Sequence, residues 1–217
     1  MTDPNLTHLY FLLDRSGSMQ SIKGDTEGGF DAFIAEQRTQ PGECRVTLAQ
    51  FDDTYEQVYA DLPVAEVPPL QLHPRGTTAL LDSIGRLIGE AGARLAALPD
   101  DRRPGVVIVG IMTDGLENAS REWSHPQVKQ LIETQTRDYQ WQFLYLGADQ
   151  DAVEVGMSIG VSAGHSVTYG RGKVKQAMAA TAANVSSYRQ ARAGGMPAPA
   201  AAALSEFTEE QRRAAQD

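Results

Sequence analysis

Apolar and polar positions along the chain fall into two alternating rhythms. The stretches "LYFLLD" (9–14), "GVVIVGIMTD" (105–114) and "WQFLYLG" (141–147) are apolar over several consecutive residues. That is the pattern of strands covered on both faces, as in the middle of a parallel sheet. "RVTLAQF" (45–51) and "EQVYADL" (56–62) are joined by the polar turn "DDTY" and predict an antiparallel hairpin at a sheet edge. Asp52 and Asp53 read as the polar residues of that turn. "HSVTY" (165–169) gives a short sixth strand.

Segments of helical period fill the gaps. Residues 22–38 carry Ile22, Phe30, Phe33, Ile34 and Gln37 on one side, and the glycines of "EGGF" predict close packing there. Residues 78–97 show the clearest stripe, with Leu80, Leu81, Ile84, Leu87, Ile88, Ala91 and Leu95 recurring at three and four. Residues 125–136 open on Ser124-His125-Pro126-Gln127, a capping box with proline just inside the start. Asp149 is placed to cap a helix over 150–159. A last helix spans 172–192, with Val174, Ala177, Met178, Thr181, Val185 and Tyr188 on one face.

The order β-α-β-β-α-β-α-β-α-β-α predicts an α/β, Rossmann-like fold. Its central six-stranded sheet is mostly parallel with one antiparallel edge strand, and helices cover both faces. One domain over 1–192 is followed by "AGGMPAPAAAA", read with its neighbours as a flexible Gly/Pro/Ala linker over 193–204. Residues 205–217 form a short C-terminal helix or a disordered tail, with Thr208 at the cap and Gln211 at the box position.

Composition narrows the function classes. The net charge of −9 argues against nucleic acid and against an anionic membrane surface. Cys44 is the only cysteine, which excludes an intrachain disulfide and reads as a small buried hydrophobe. The N-terminus lacks a basic region followed by an apolar run, and no stretch approaches ~18 apolar residues. The expectation is a soluble, cytoplasmic protein.

Three stretches carry candidate chemistry, each at the same predicted sheet edge: Asp14-Arg15-Ser16-Gly17-Ser18, Gly76-Thr77-Thr78-Ala79-Leu80 and Thr113-Asp114-Gly115. Ligands of such sheets gather outside the carboxyl ends of the strands where strand order reverses. Two carboxylates with several hydroxyls suit a hard divalent cation, Mg²⁺ or Mn²⁺ foremost and Ca²⁺ next. Taken singly, each stretch also reads as a helix cap or a strand-to-turn sequence. Their joint occurrence in this order favours the metal.

These motifs resemble the von Willebrand factor A (vWA) domain family, the fold shared with integrin I domains, over about Leu9 to Tyr188. "FLLDRSGSM" looks like the family's first strand and Asp-x-Ser-x-Ser motif, "RGTTALLDSI" like its threonine loop, and "VGIMTDGLEN" like its Thr-Asp-Gly turn. The resemblance implies a metal-ion-dependent adhesion site at Asp14, Ser16, Ser18, Thr78 and Asp114. Thr78 is preferred to Thr77 because the family threonine precedes an x-Leu pair. It implies a protein partner presenting an Asp or Glu to the metal, with Arg15, Thr77, Glu117, Asn118 and Asp149 around the rim. It further implies a stand-alone, non-enzymatic adaptor or scaffold whose last helix, 172–192, can slide when the site changes state; the lack of sorting signals and extra modules adds the expectation of an intracellular protein of bacterial type.

The runner-up is a Mg²⁺-dependent phosphoester hydrolase at the same edge, with Asp14 and Asp149 as its candidate base or nucleophile. A third reading is a structural domain that binds no metal. The four histidines (His8, His73, His125 and His165) make no zinc spacing. Ser16 and Ser18 do not stand in a Gly-x-Ser-x-Gly elbow, Asp14-Arg15-Ser16 lacks the second aspartate of an Asp-x-Asp pattern, and no lysine-bearing phosphate loop is present.

Overall fold

Residues Asp3–Asp14 (β1) form the axis of the molecule. Leu9, Phe11 and Leu13 enter one apolar core, and Tyr10 and Leu12 enter the other. Successive side chains of a strand alternate faces, so an unbroken apolar run serves both. The computed structural model describes residues 2–148 and 150–216.

Five further strands flank β1: Glu43–Phe51 (β2), Tyr55–Pro63 (β3), Pro104–Thr113 (β4), Gln142–Ala148 (β5) and Ser166–Tyr169 (β6). Their order is β3-β2-β1-β4-β5-β6. Every pairing is parallel except β2 with β3. The chain adds strands first on one side of β1 and then, from β4, on the other. The order therefore reverses between β1 and β4, and Asp14 and Thr113 end those two strands.

Helices Lys23–Thr39 (α1) and Val174–Ala193 (α5) cover one face of the sheet. Phe30 and Phe33 meet Phe11 edge-on, at 5.2 and 4.8 Å between ring centres. A Cβ on Gly29 would stand 3.1 Å from Met178 Cγ, so that glycine does serve close packing of α1 on α5. Leu80–Ala97 (α2), His125–Tyr139 (α3) and Ala152–Ser158 (α4) cover the other face. In α3 the backbone N–H of Ser124 donates to Gln127 Oε1 at 2.9 Å, as the capping-box spacing predicts.

Three expectations meet a different outcome. β1 starts six residues earlier than its apolar run, because Leu6–Glu43 pairing and an Asp3–Pro104 contact extend the ladder through polar positions. Helix α4 is capped by Asp151, whose carboxylate accepts from the Glu154 N–H at 2.9 Å; Asp149 lies outside the described residues. The segment read as a linker contains a helix, Ala198–Leu204 (α6), followed by Glu209–Gln216 (α7).

Alanine is the strongest helix former, and its small side chain lets α6 lie close to its neighbours. Ala201, Phe207 and Ala215 are buried in the α1–α5 core. Gly170 N–H donates to Ala215 O at 2.9 Å, and Arg212 reaches Ser166 O at 2.6 Å. Among the described residues, no helix is long and apolar enough to cross a membrane.

Candidate metal centre

The period of two that buries Tyr10 and Leu12 on the α2 side carries Asp14 to the same side. Asp14 is fully buried. Its Oδ1 accepts from the Ser16 N–H at 2.6 Å, closing the turn that follows β1. Its Oδ2 accepts from Thr113 Oγ1 at 2.6 Å. Burial pushes the Asp14 carboxyl up to about 6, against these bonds from Thr113 and Ser16, and the neighbouring Asp114 charge adds to the rise.

The remaining donors converge on this carboxylate. Ser16 Oγ lies 3.1 Å from Ser18 Oγ, and Ser18 Oγ donates to Asp114 Oδ1 at 2.5 Å. A Cβ built on Gly115 would stand 3.0 Å from Thr78 Oγ1 and 3.7 Å from Asp14 Oδ2. Glycine after Asp114 thus keeps clear a space that any side chain would enter. Thr78 is buried at this point and Thr77 is exposed, so the structure places Thr78, not its neighbour, with the other four.

The donor set fits a hard cation. Mg²⁺ holds oxygens at about 2.0–2.1 Å, so adjacent ligands of an octahedron stand roughly 3 Å apart. The Ser16–Ser18 separation has that length already. Two buried carboxylates facing one another, with hydroxyls as the other donors, repel, and either a proton or a bound cation would relieve that repulsion. Among the described residues no three His, Cys, Asp or Glu side chains cluster, which is expected where three of five donors are hydroxyls.

The loops are held by bonds that run between them. Arg15 N–H donates to Phe51 O at 2.7 Å, Arg75 N–H to Arg15 O at 2.8 Å and Gly17 N–H to Gly76 O at 3.2 Å. Ala79 stands at the N-cap of helix α2 and offers no side-chain cap. The helix's first N–H groups would be orphans. They are taken instead by the loop after β4: Leu81 N–H by Glu117 Oε2 at 2.9 Å, Asp82 N–H by Ser120 Oγ at 3.0 Å and Thr78 N–H by Asn118 Oδ1 at 3.0 Å. Asp82 returns the favour, accepting from the N–H groups of Arg121, Glu122 and Trp123 at 2.8–2.9 Å.

This arrangement gives several rim candidates other work. The Glu117 carboxylate also accepts from the Ala119 and Ser120 N–H groups and from Ser120 Oγ, at 2.7–2.9 Å. Glu117 caps α2 from a distance and Asn118 holds the Thr78 N–H just before the helix, rather than reaching outward with free side chains. Arg15 is buried, with its guanidinium on Asp52 and Glu56. Thr77 is exposed at the rim. Asp149 falls outside the described residues.

Sequence reasoning gave Thr113 no role of its own, though its hydroxyl ties Asp14 to β4. It read Asp52 as a polar residue of the hairpin turn, with contact at the metal-site rim as the lesser alternative. The signal was present in each case: a hydroxyl beside the Thr-Asp-Gly carboxylate, and an acid directly after a buried strand.

No family model matches the chain. No curated protein matches it either. Solved structures do. The ArnB paralog VWA2 from Sulfolobus acidocaldarius superposes with a TM-score of 0.53 at 17% identity, over 81% of this chain and 44% of that one. The vWF domain of the type V pili tip protein Mfa5 from Porphyromonas gingivalis gives 0.58 at 11% identity, over 85% of this chain and 96% of that one. The open conformation of the pilus adhesin SpaC from Lactobacillus rhamnosus GG gives 0.60 at 14% identity, over 86% of this chain and 30% of that one. The chain spans less than half the length of the first solved structures it matches. At such identities the likeness concerns the fold, and the fold of this chain is that of a von Willebrand factor A domain.

Proposed function

We propose that the chain binds a divalent cation through Asp14, Ser16, Ser18, Thr78 and Asp114, and engages a protein partner there. The observation that carries this reading is the convergence of five oxygen-bearing side chains from three loops at the β1–β4 edge, around the space kept clear by Gly115. When bound, a hard cation such as Mg²⁺ or Mn²⁺ supplies a Lewis-acidic point that a partner's Asp or Glu can join.

The chain's own residues orient that point. Thr113 and the Ser16 N–H fix both oxygens of Asp14. The crossed caps of Glu117, Asn118 and Asp82 fix Thr78 relative to Asp114. Leu116, 63% exposed and two residues from Asp114, offers the partner an apolar footing beside the charge. The adhesins and matrix proteins among the structural neighbours support an interaction domain over an enzyme.

Calorimetric titration with Mn²⁺, followed by capture from native lysate in Mg²⁺ or EDTA, tests the reading. The expected result is one cation site lost in Asp114→Ala, and a partner retained only with metal and only by the unaltered chain. Capture that is identical in all four conditions would sink the adhesion role. Phosphoester turnover abolished by Asp14→Ala would replace it with hydrolysis.

A further inference from the structure

Among the described residues Asp52 is the most enclosed carboxylate outside the proposed ligand set, and its side chain is fully buried. Its Oδ2 accepts from Arg15 Nε at 3.0 Å and from Arg75 Nε at 2.8 Å. Its Oδ1 accepts from the N–H and hydroxyl of Thr54, both at 2.8 Å. Its carbonyl accepts from Ala79 N–H at 2.8 Å. Burial opposes its ionisation, but the bonds from Arg75 and Thr54 outweigh burial and hold the carboxyl far below the usual range.

These partners occupy critical places. Arg15 separates Asp14 from Ser16. Arg75 and Ala79 bracket Gly76, Thr77 and Thr78. A Cβ on Gly76 would stand 3.3 Å from Asp52 Cβ, which shows how tightly that loop lies over it, and Gly76 itself has φ of +68°. One carboxylate thus ties the first metal loop and the threonine loop to the end of β2. None of its atoms is offered to the cation position.

We infer that Asp52 is a positioning residue for the cation: it sets metal affinity by holding Ser16 and Thr78 at their working separation through Arg15, Arg75 and Ala79. The inference rests on the metal reading above. An uncharged amide at 52 keeps the size of the side chain but has a single acceptor oxygen, so it must give up either the two guanidiniums on Oδ2 or the two Thr54 donors on Oδ1, and it brings no negative charge to Arg15 and Arg75. Arg15 would then be buried with its charge only partly met.

The test is Mn²⁺ binding, read from the loss of the free-ion electron paramagnetic resonance signal. Asp52→Asn is expected to weaken Mn²⁺ binding at least tenfold. Arg75→Gln, an alteration at an exposed side chain that leaves the core intact, is expected to weaken it at least threefold and serves if Asp52→Asn does not fold. Gln37→Ala, which breaks buried bonds to Ala182, Ser186 and Arg189 far from the site, is expected to lower the melting temperature with Mn²⁺ affinity unchanged. Affinity within twofold of wild type in both Asp52→Asn and Arg75→Gln overturns the inference while leaving the metal reading intact. A wild-type chain that takes up no Mn²⁺ overturns both.

Discussion

Glu117 separates two accounts of the loop after β4. If it meets a partner at the rim, its removal leaves the isolated domain unchanged. If it caps α2, the domain melts early. Glu117→Ala deletes four accepted bonds: Leu81 N–H at 2.9 Å, Ala119 N–H at 2.9 Å, and the N–H and hydroxyl of Ser120 at 2.7 Å. A lost helix cap costs about 0.5–2 kcal/mol, and a hydrogen bond to a charged group contributes roughly 1.5–3 kcal/mol when both partners are buried. Glu117 is only part-buried, so water replaces some of these contacts. A net loss of about 2–4 kcal/mol follows. For a domain of this size each kcal/mol moves the midpoint by roughly 2–4 °C, giving a fall of roughly 4–16 °C. The assay is thermal unfolding followed by circular dichroism in EDTA, which removes any contribution from bound cation. Glu117→Gln should fall between, because its amide can accept at one oxygen but opposes Leu81 N–H with a donor at the other position. A midpoint for Glu117→Ala within 1–2 °C of wild type (less than about 1 kcal/mol by the same scaling) would refute the capping account.

Other consequences are as open to measurement. Gly115→Ala places a methyl 3.0 Å from Thr78 Oγ1, so Mn²⁺ affinity by calorimetry should drop at least tenfold with little change in secondary structure; unaltered affinity would contradict the site geometry. His8 is buried against Tyr10 and Thr47, and burial lowers its pKa to about 3, the nearby Asp61 opposing and Arg94 and Arg45 assisting. The unfolded chain therefore takes the proton first, and this contribution is present above about pH 6.5 and lost as pH falls toward 3. Urea unfolding should show wild type losing about 2 kcal/mol more than His8→Gln between pH 8 and pH 5, and parallel pH profiles would disprove the assignment. Phe207→Ala, which empties a buried position where α7 docks, should lower stability by about 3 kcal/mol; a tail without packing would give no change in the urea midpoint.

The parts of the fold that could be read from the chain are those decided within one element. β1, β4 and β5 declared themselves because strands buried on both faces have no polar alternation to disguise them. α2 did so because its stripe returns at three and four over five turns. Asp14 and Asp114 were legible at the edge because each ends such a run. What escaped depends on contacts distant in sequence. Nothing near Glu117 indicates that its partner is Leu81, 36 residues earlier. Asp52 stands in a turn, where acids are ordinarily solvated, and becomes buried only because Arg15 and Arg75 arrive from other loops. The run of alanines in α6 has no large side chain to mark a face, so its composition reads as a linker until a neighbouring surface is there to receive it. Ala201, on the helix that packs against α5, is buried there.

The way α7 folds back has a practical bearing on how the domain can be displayed. Ala215 lies against Gly170, at the carboxyl end of β6. That is the sheet edge where Asp14 and Asp114 stand. Asp3 lies at the opposite edge, eleven residues along β1 from Asp14, or roughly 36 Å at 3.3 Å per residue. A biotin or affinity tag placed before Asp3 would hold the domain with its cation edge turned toward the solution. The same tag placed after Gln216 would crowd that edge against the support. Surface-binding measurements made in the two orientations should therefore disagree, and the amino-terminal one is the orientation to trust.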